Sequence, residues 1–84
     1  MTWHDRTRPR DIPSGENYVR PMTIVVEPNG GTVQIQFRDS AGVWTTPASD
    51  DYALTQAGPV RLERSNTPAM RIVATGDAKF EVTL

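Results

Sequence analysis

His4 is the only histidine in the 84-residue chain, and there is no cysteine. The single imidazole sits beside Asp5 and two residues before Arg6, in a polar N-terminal segment. A general base needs a positioned partner and a pocket; this segment offers neither, so His4 is expected at the surface without a catalytic role. The missing thiols exclude disulfides, zinc–thiolate sites, iron–sulfur clusters and a cysteine nucleophile. One histidine excludes a His–His metal site built from a single chain. Ser14, Ser40, Ser49 and Ser65 have no histidine partner in the rest of the chain, and no Gly-x-Ser-x-Gly elbow occurs. Asp50-Asp51, with Asp39 and Asp77 on other loops, would make an oxygen-ligand calcium set or a glycosidase pair if the loops converged. No D-x-D-x-D-G spacing supports calcium, and aspartate commonly starts turns and stays solvated. Gly30-Gly31 follows Pro28-Asn29 and opens no helix, so it is not a phosphate loop. The expectation is a protein without cofactor or metal that is not an enzyme.

The residues that could make contacts are of another kind. Arg6-x-Arg8-x-Arg10 is the most unusual local feature, with Trp3, Ile12 and Tyr18 as apolar anchors around it. It suits docking on an acidic protein surface, or on nucleic acid. Asp5 and Asp11 bracket it and weaken its field. Nine basic residues against ten acidic ones give a net charge of −1, which argues against a phosphate-driven nucleic-acid binder. Trp44 and Phe37 fall on adjacent predicted strands and are either a stacking platform for sugars or bases, or core. Phe37 reads as core. The flanks of Trp44, Val43 and Thr45, leave its facing open.

Two unlike stretches must position these residues. Residues 1–20 hold Pro9, Pro13 and Gly15 and scattered apolar side chains that fit neither a 3.6 nor a 2.0 period. They read as an extended arm, and residues 21–84 as the folded domain, which should survive removal of the arm. From Pro21 onward short alternating runs recur. Met22, Ile24 and Val26 share one face; Val33, Ile35 and Phe37 share another. Pro28-Asn29-Gly30-Gly31 is a turn cluster. Val43-Trp44-Thr45-Thr46 returns as a hairpin partner for the Val33–Phe37 run, after the loop Asp39-Ser40-Ala41-Gly42. Tyr52 and Leu54, then Val60 and Leu62, then Met70, Ile72 and Ala74 continue the alternation. Gly76-Asp77 reads as a two-residue hairpin turn into a last strand with Phe80, Val82 and Leu84 inward and Lys79, Glu81 and Thr83 outward. Six to seven short antiparallel strands with turn signals every 8–12 residues predict an all-β fold, a small β-sandwich or jelly-roll-like module. Val25 and Val73 fall on otherwise polar faces, either as contacts between copies or as a second buried face.

A domain this short buries only about 60% of the surface its unfolded chain exposes. Association with other chains is therefore expected. No apolar stretch is longer than Ile24-Val25-Val26, far short of a membrane span of about 20 residues. The start, Met1-Thr2-Trp3-His4-Asp5-Arg6, has no signal-peptide character, so synthesis in a cytoplasm is expected.

Val33-Gln34-Ile35-Gln36-Phe37-Arg38, then Gly42-Val43-Trp44-Thr45-Thr46, then Gly58-Pro59-Val60-Arg61-Leu62, then Arg71 to Val82 form one continuous style of short strands and turns. Over residues 22–84 this style resembles small virion structural proteins of tailed bacteriophages, of the capsid decoration or cement type. The Trp-Thr-Thr after a glycine turn and the Thr-Gly-Asp-Ala-x-Phe segment carry the likeness. The resemblance implies a β-sandwich, commonly a homotrimer, bound to the major capsid protein or another virion protein, with no nucleic acid or membrane partner. A polar arm lying along a neighbouring subunit would gain affinity from many copies. Trp3, Arg6, Arg8, Arg10, Ile12, Tyr18 and Trp44 are the expected contact residues. The alternative is a receptor- or carbohydrate-binding module of a tail fibre or baseplate, using Trp44, Tyr52 and the Asp50-Asp51 loop.

Overall fold

In a computed structural model the described residues are 3–12, 21–47, 52–63 and 68–83. Tyr18, the Asp50-Asp51 loop and Leu84 lie outside them. The chain is all-β, with eight short strands in two antiparallel sheets: β1 (Arg10–Ile12), β2 (Met22–Glu27), β3 (Thr32–Arg38), β4 (Trp44–Thr45), β5 (Ala53–Leu54), β6 (Gly58–Leu62), β7 (Met70–Thr75) and β8 (Lys79–Thr83). One sheet runs β1-β7-β3, and both β4 and β5 pair with the far side of β3. The other runs β6-β2-β8. The architecture is a small β-sandwich.

The alternation read from the sequence sets the inner faces. Met22, Ile24 and Val26 of β2, Val33 and Ile35 of β3, Met70, Ile72 and Ala74 of β7, and Phe80 of β8 are buried between the sheets. Phe37, Tyr52, Leu54, Leu62 and Val82 pack against them at the margins. The Phe37 and Tyr52 rings meet edge-on, 5.3 Å between centres. Each fully buried large aliphatic or aromatic side chain contributes about 1.5–3 kcal/mol. Val25 and Val73 lie on the outer faces and are half-buried there.

The expected hairpin of β3 and β4 forms, with Phe37 opposite Thr45 and Arg38 opposite Trp44. Asp39 holds its turn. The Asp39 carboxylate accepts from the Ala41 and Val43 N–H groups, both at 2.9 Å.

The expected hairpin at Gly76-Asp77 does not form. The turn itself is present: Gly76 has φ +62°, and the Ala78 N–H reaches the Thr75 carbonyl at 3.2 Å. The strands it joins lie in different sheets, β7 beside β3 and β8 beside β2. The reason is parity. A two-residue loop would set Ile72 opposite Glu81 and Val73 opposite Phe80. Opposed residues share a face, so each pair would bury a misfit. Passing β8 to the other sheet turns both apolar rows inward. Pro28–Gly31 likewise arches from β2 to β3 between the sheets. The two arches stack. A Cβ on Gly31 would collide with the Thr75 carbonyl oxygen, so only glycine permits this approach. Asn29 Nδ2 donates to the Asp77 carbonyl at 3.3 Å, and Thr75 Oγ1 bonds both the N–H (3.1 Å) and the carbonyl (3.2 Å) of Thr32.

Candidate interaction surface

The N-terminal segment is extended and lies on its own sandwich. His4 exchanges two backbone hydrogen bonds with Phe80: its N–H reaches the Phe80 carbonyl at 2.8 Å, and the Phe80 N–H reaches its carbonyl at 2.9 Å. That covers the free edge of β8. The chain then turns at residues 5–8 and enters β1, which covers the free edge of β7 with Arg10 opposite Ile72 and Ile12 opposite Met70. One segment thus bridges the same side of both sheets.

Asp5 makes the turn. Its carboxylate accepts from the Thr7 hydroxyl at 2.6 Å and the Thr7 N–H at 2.9 Å, and its carbonyl accepts from the Arg8 N–H at 3.0 Å. The Thr7 side-chain hydrogen bond, then its backbone one, holds the Asp5 carboxyl below its ordinary pKa. His4 Nδ1 donates to the Arg8 carbonyl at 2.9 Å, and its ring stacks on Phe80 with 5.3 Å between centres. The imidazole is spent on the arm's own seat.

This turn breaks the arginine row. Arg6-x-Arg8-x-Arg10 would share a face only in a continuous strand. Arg6 and Arg8 are exposed; Arg10 is half-buried on the inner side of β1. Its Nε is buried without a hydrogen-bond partner among the described residues. Ile12 is 1% exposed and belongs to this chain's own core. Trp3 is 37% exposed, with the Lys79 ammonium 5.7 Å from its ring centre. Lys79 also lies 3.6 Å from the Glu27 carboxylate. Glu81, expected outward, is on the outer face of β8 yet only 9% exposed. The His4–Phe80 bridge sets Trp3 beside it. What the arm presents outward is therefore Trp3, Arg6 and Arg8, beside a cleft of about 300 Å³ between the Asp5–Thr7 turn and the two arches.

Trp44 lies on the outer face of its sheet. Its opposite residue, Arg38, points outward, as do Gln36 and Arg71 on the next strands. The Arg71 guanidinium stacks over the indole, 4.6 Å from the ring centre. Two of its N–H groups go to Gln36 Oε1, at 3.2 and 2.8 Å, and Gln36 Nε2 donates to Thr46 Oγ1 at 3.3 Å. Trp44 is half-buried and one ring face is occupied by Arg71. A sugar would have only the remaining surface of the indole to stack on.

Sequence reading grouped the arm arginines and missed the arm's strand, the His4–Phe80 bridge and Arg71. The Asp5-Arg6-Thr7 triplet was the available signal, since aspartate followed two residues on by a donor favours a local turn. Arg71 had none, because its meeting with Trp44 depends on which strands pair. No group of three or more metal-ligating side chains occurs among the described residues. Comparison with protein-family models, with curated proteins and with solved structures finds no match to this chain.

Proposed function

We propose that the chain is a non-enzymatic structural protein of a bacteriophage virion, a capsid decoration or cement protein that binds the head lattice through the outward side of its arm. The observation that supports this reading most is the seat of the arm on its own sandwich. Trp3, Arg6 and Arg8 stand exposed on a segment fastened at His4 and anchored by Ile12. A preorganised aromatic and cationic ridge loses little conformational freedom on binding and suits an acidic protein surface. The small all-β frame and the resemblance of residues 22–84 to such proteins point the same way. Trp44 with its stacked Arg71 favours this reading over the carbohydrate-binding one, which needs an open ring face.

Immunogold labelling of the particles released by the cells that make this chain tests the proposal. Label on particle heads is the expected result, lost in the doubly substituted Arg6→Glu, Arg8→Glu protein. Label confined to tails would replace the head assignment with the fibre or baseplate one. Unlabelled particles, with the chain in the soluble fraction, would overturn both.

A further inference from the structure

The outer face of the sheet that holds β7, β3 and β4 carries a fixed arginine with no carboxylate bound to it. Arg71 on β7 has Asp11 opposite on β1 and Gln36 opposite on β3. Opposed residues share a face, so its guanidinium could turn either way. It leans across β3, away from Asp11, and lies over the Trp44 indole, 4.6 Å from the ring centre. Gln36 Oε1 accepts from Arg71 Nε at 3.2 Å and from Nη2 at 2.8 Å, and Gln36 Nε2 is itself tied to Thr46 Oγ1. Both partners of the cation are neutral. The ion pairs among the described residues are Arg61–Glu63 and Lys79–Glu27. Arg71 is in neither, and nor is Arg38, which stands opposite Trp44. The Asp39 carboxylate, next along from Arg38, is spent on the Ala41 and Val43 N–H groups.

The Nε and Nη2 hydrogens that meet Gln36 lie along one edge of the Arg71 guanidinium. The second Nη2 hydrogen and one on Nη1 run parallel off its end, a fork that matches the two oxygens of a carboxylate. Arg10 Nε is the only side-chain nitrogen or oxygen buried without a partner among the described residues, so Arg71 Nη1 is open to solvent. We propose that Arg71, stacked on Trp44, is a binding site for a glutamate or aspartate side chain of an acidic protein segment. The indole and Gln36 already hold the guanidinium in place, so binding costs little further side-chain freedom. Arg71 and Trp44 are half-buried, where a forked, charge-assisted pair is stronger than one between mobile surface chains. Arg38 adds a second positive charge beside the same indole. A sugar polymer fits less well, because Arg71 occupies one face of the ring. A nucleic acid would meet a chain of net charge −1. The site lies at β4, on a different part of the molecule from the arm that bridges β7 and β8. It does not depend on the virion reading.

NMR titration of the full chain with a hexaglutamate peptide blocked at both ends tests it. The two tryptophans give two indole N–H signals, so Trp44 reports this site and Trp3 the arm. The expected result is movement of the Trp44 indole and Arg71 Nε–H signals that saturates with a Kd at or below about 1 mM. Arg71→Lys keeps the charge and loses the fork, and should weaken the Trp44 response at least about tenfold. An unchanged circular dichroism spectrum confirms that this variant folds. Arg6→Ala with Arg8→Ala should leave the Trp44 response as it is. On the native chain a hexaglutamine peptide should move neither signal. Unmoved Trp44 and Arg71 signals, an equal response in Arg71→Lys, or an equal response to hexaglutamine would each overturn the proposal. Tighter binding of oligogalacturonate or of single-stranded DNA would overturn it in favour of a sugar or a nucleic acid.

Discussion

The two sides of the sandwich treat their edges in opposite ways. On the β7–β8 side one segment covers both sheets, His4 on β8 and β1 on β7. On the β6 side the backbone groups of Arg61 point away from β2, with no partner among the described residues. The closed side carries Phe80 and Ile12, at 0% and 1% exposure. The open side carries a proline and exposed charges, two devices that blunt non-specific strand addition. An edge can thus be closed by the chain itself or guarded by residues that discourage a further strand.

Substitutions should divide along the same line. The largest effects belong to the closed side. Phe80→Ala should cost about 3–5 kcal/mol and Ile12→Ala about 2–5 kcal/mol, read from urea unfolding. A loss below about 1 kcal/mol at Ile12 would show the arm to be an appendage. The arches come next, at the end where both sheets are joined. Gly31→Ala should cost about 1–3 kcal/mol, because the new methyl must displace the Thr75 carbonyl. On the open side, Arg61→Ala should stay within about 0.5 kcal/mol. A larger loss there would mean that the edge already has a partner within the chain.

The smallest effect is a titration. Asp5 gains its low pKa from Thr7 in the folded arm only. A carboxyl whose folded pKa is depressed adds stability that is complete above its ordinary value of 3.8 and lost as pH falls through the lowered one. Thr7→Ala should raise the Asp5 pKa toward 3.8, followed by carboxyl NMR shifts. An unchanged pKa would mean the turn at residues 5–8 does not depend on that hydrogen bond.

The strands β2, β3, β6, β7 and β8 were legible because each carries an apolar row of period two, and their inward faces are as read. The sheet to which a strand belongs was less so. At Gly76-Asp77 the turn residues suggested a hairpin, while the mismatch of Ile72 with Glu81 and of Val73 with Phe80 already argued against one. β1 was not legible, since three residues, Arg10, Asp11 and Ile12, carry no period and find their place only through Ile72 and Met70. The contact residues divided likewise. Trp3, Arg6 and Arg8 are outward, whereas Arg10 and Ile12 turn inward beyond the bend at Asp5. The facing of Trp44 depended on its register with Arg38 and on Arg71 from β7, which spacing along the chain does not contain.

The N-terminal segment is part of the sandwich and closes one side of it. Amide hydrogen exchange at Phe80 tests this most directly, because its N–H donates to the His4 carbonyl and to nothing in its own sheet. Protection of the Phe80 amide should lie close to that of Ile24 and Ile35 in the sheet centres, with the Arg61 amide exchanging freely. Free exchange at Phe80 beside a protected Ile24 would contradict it.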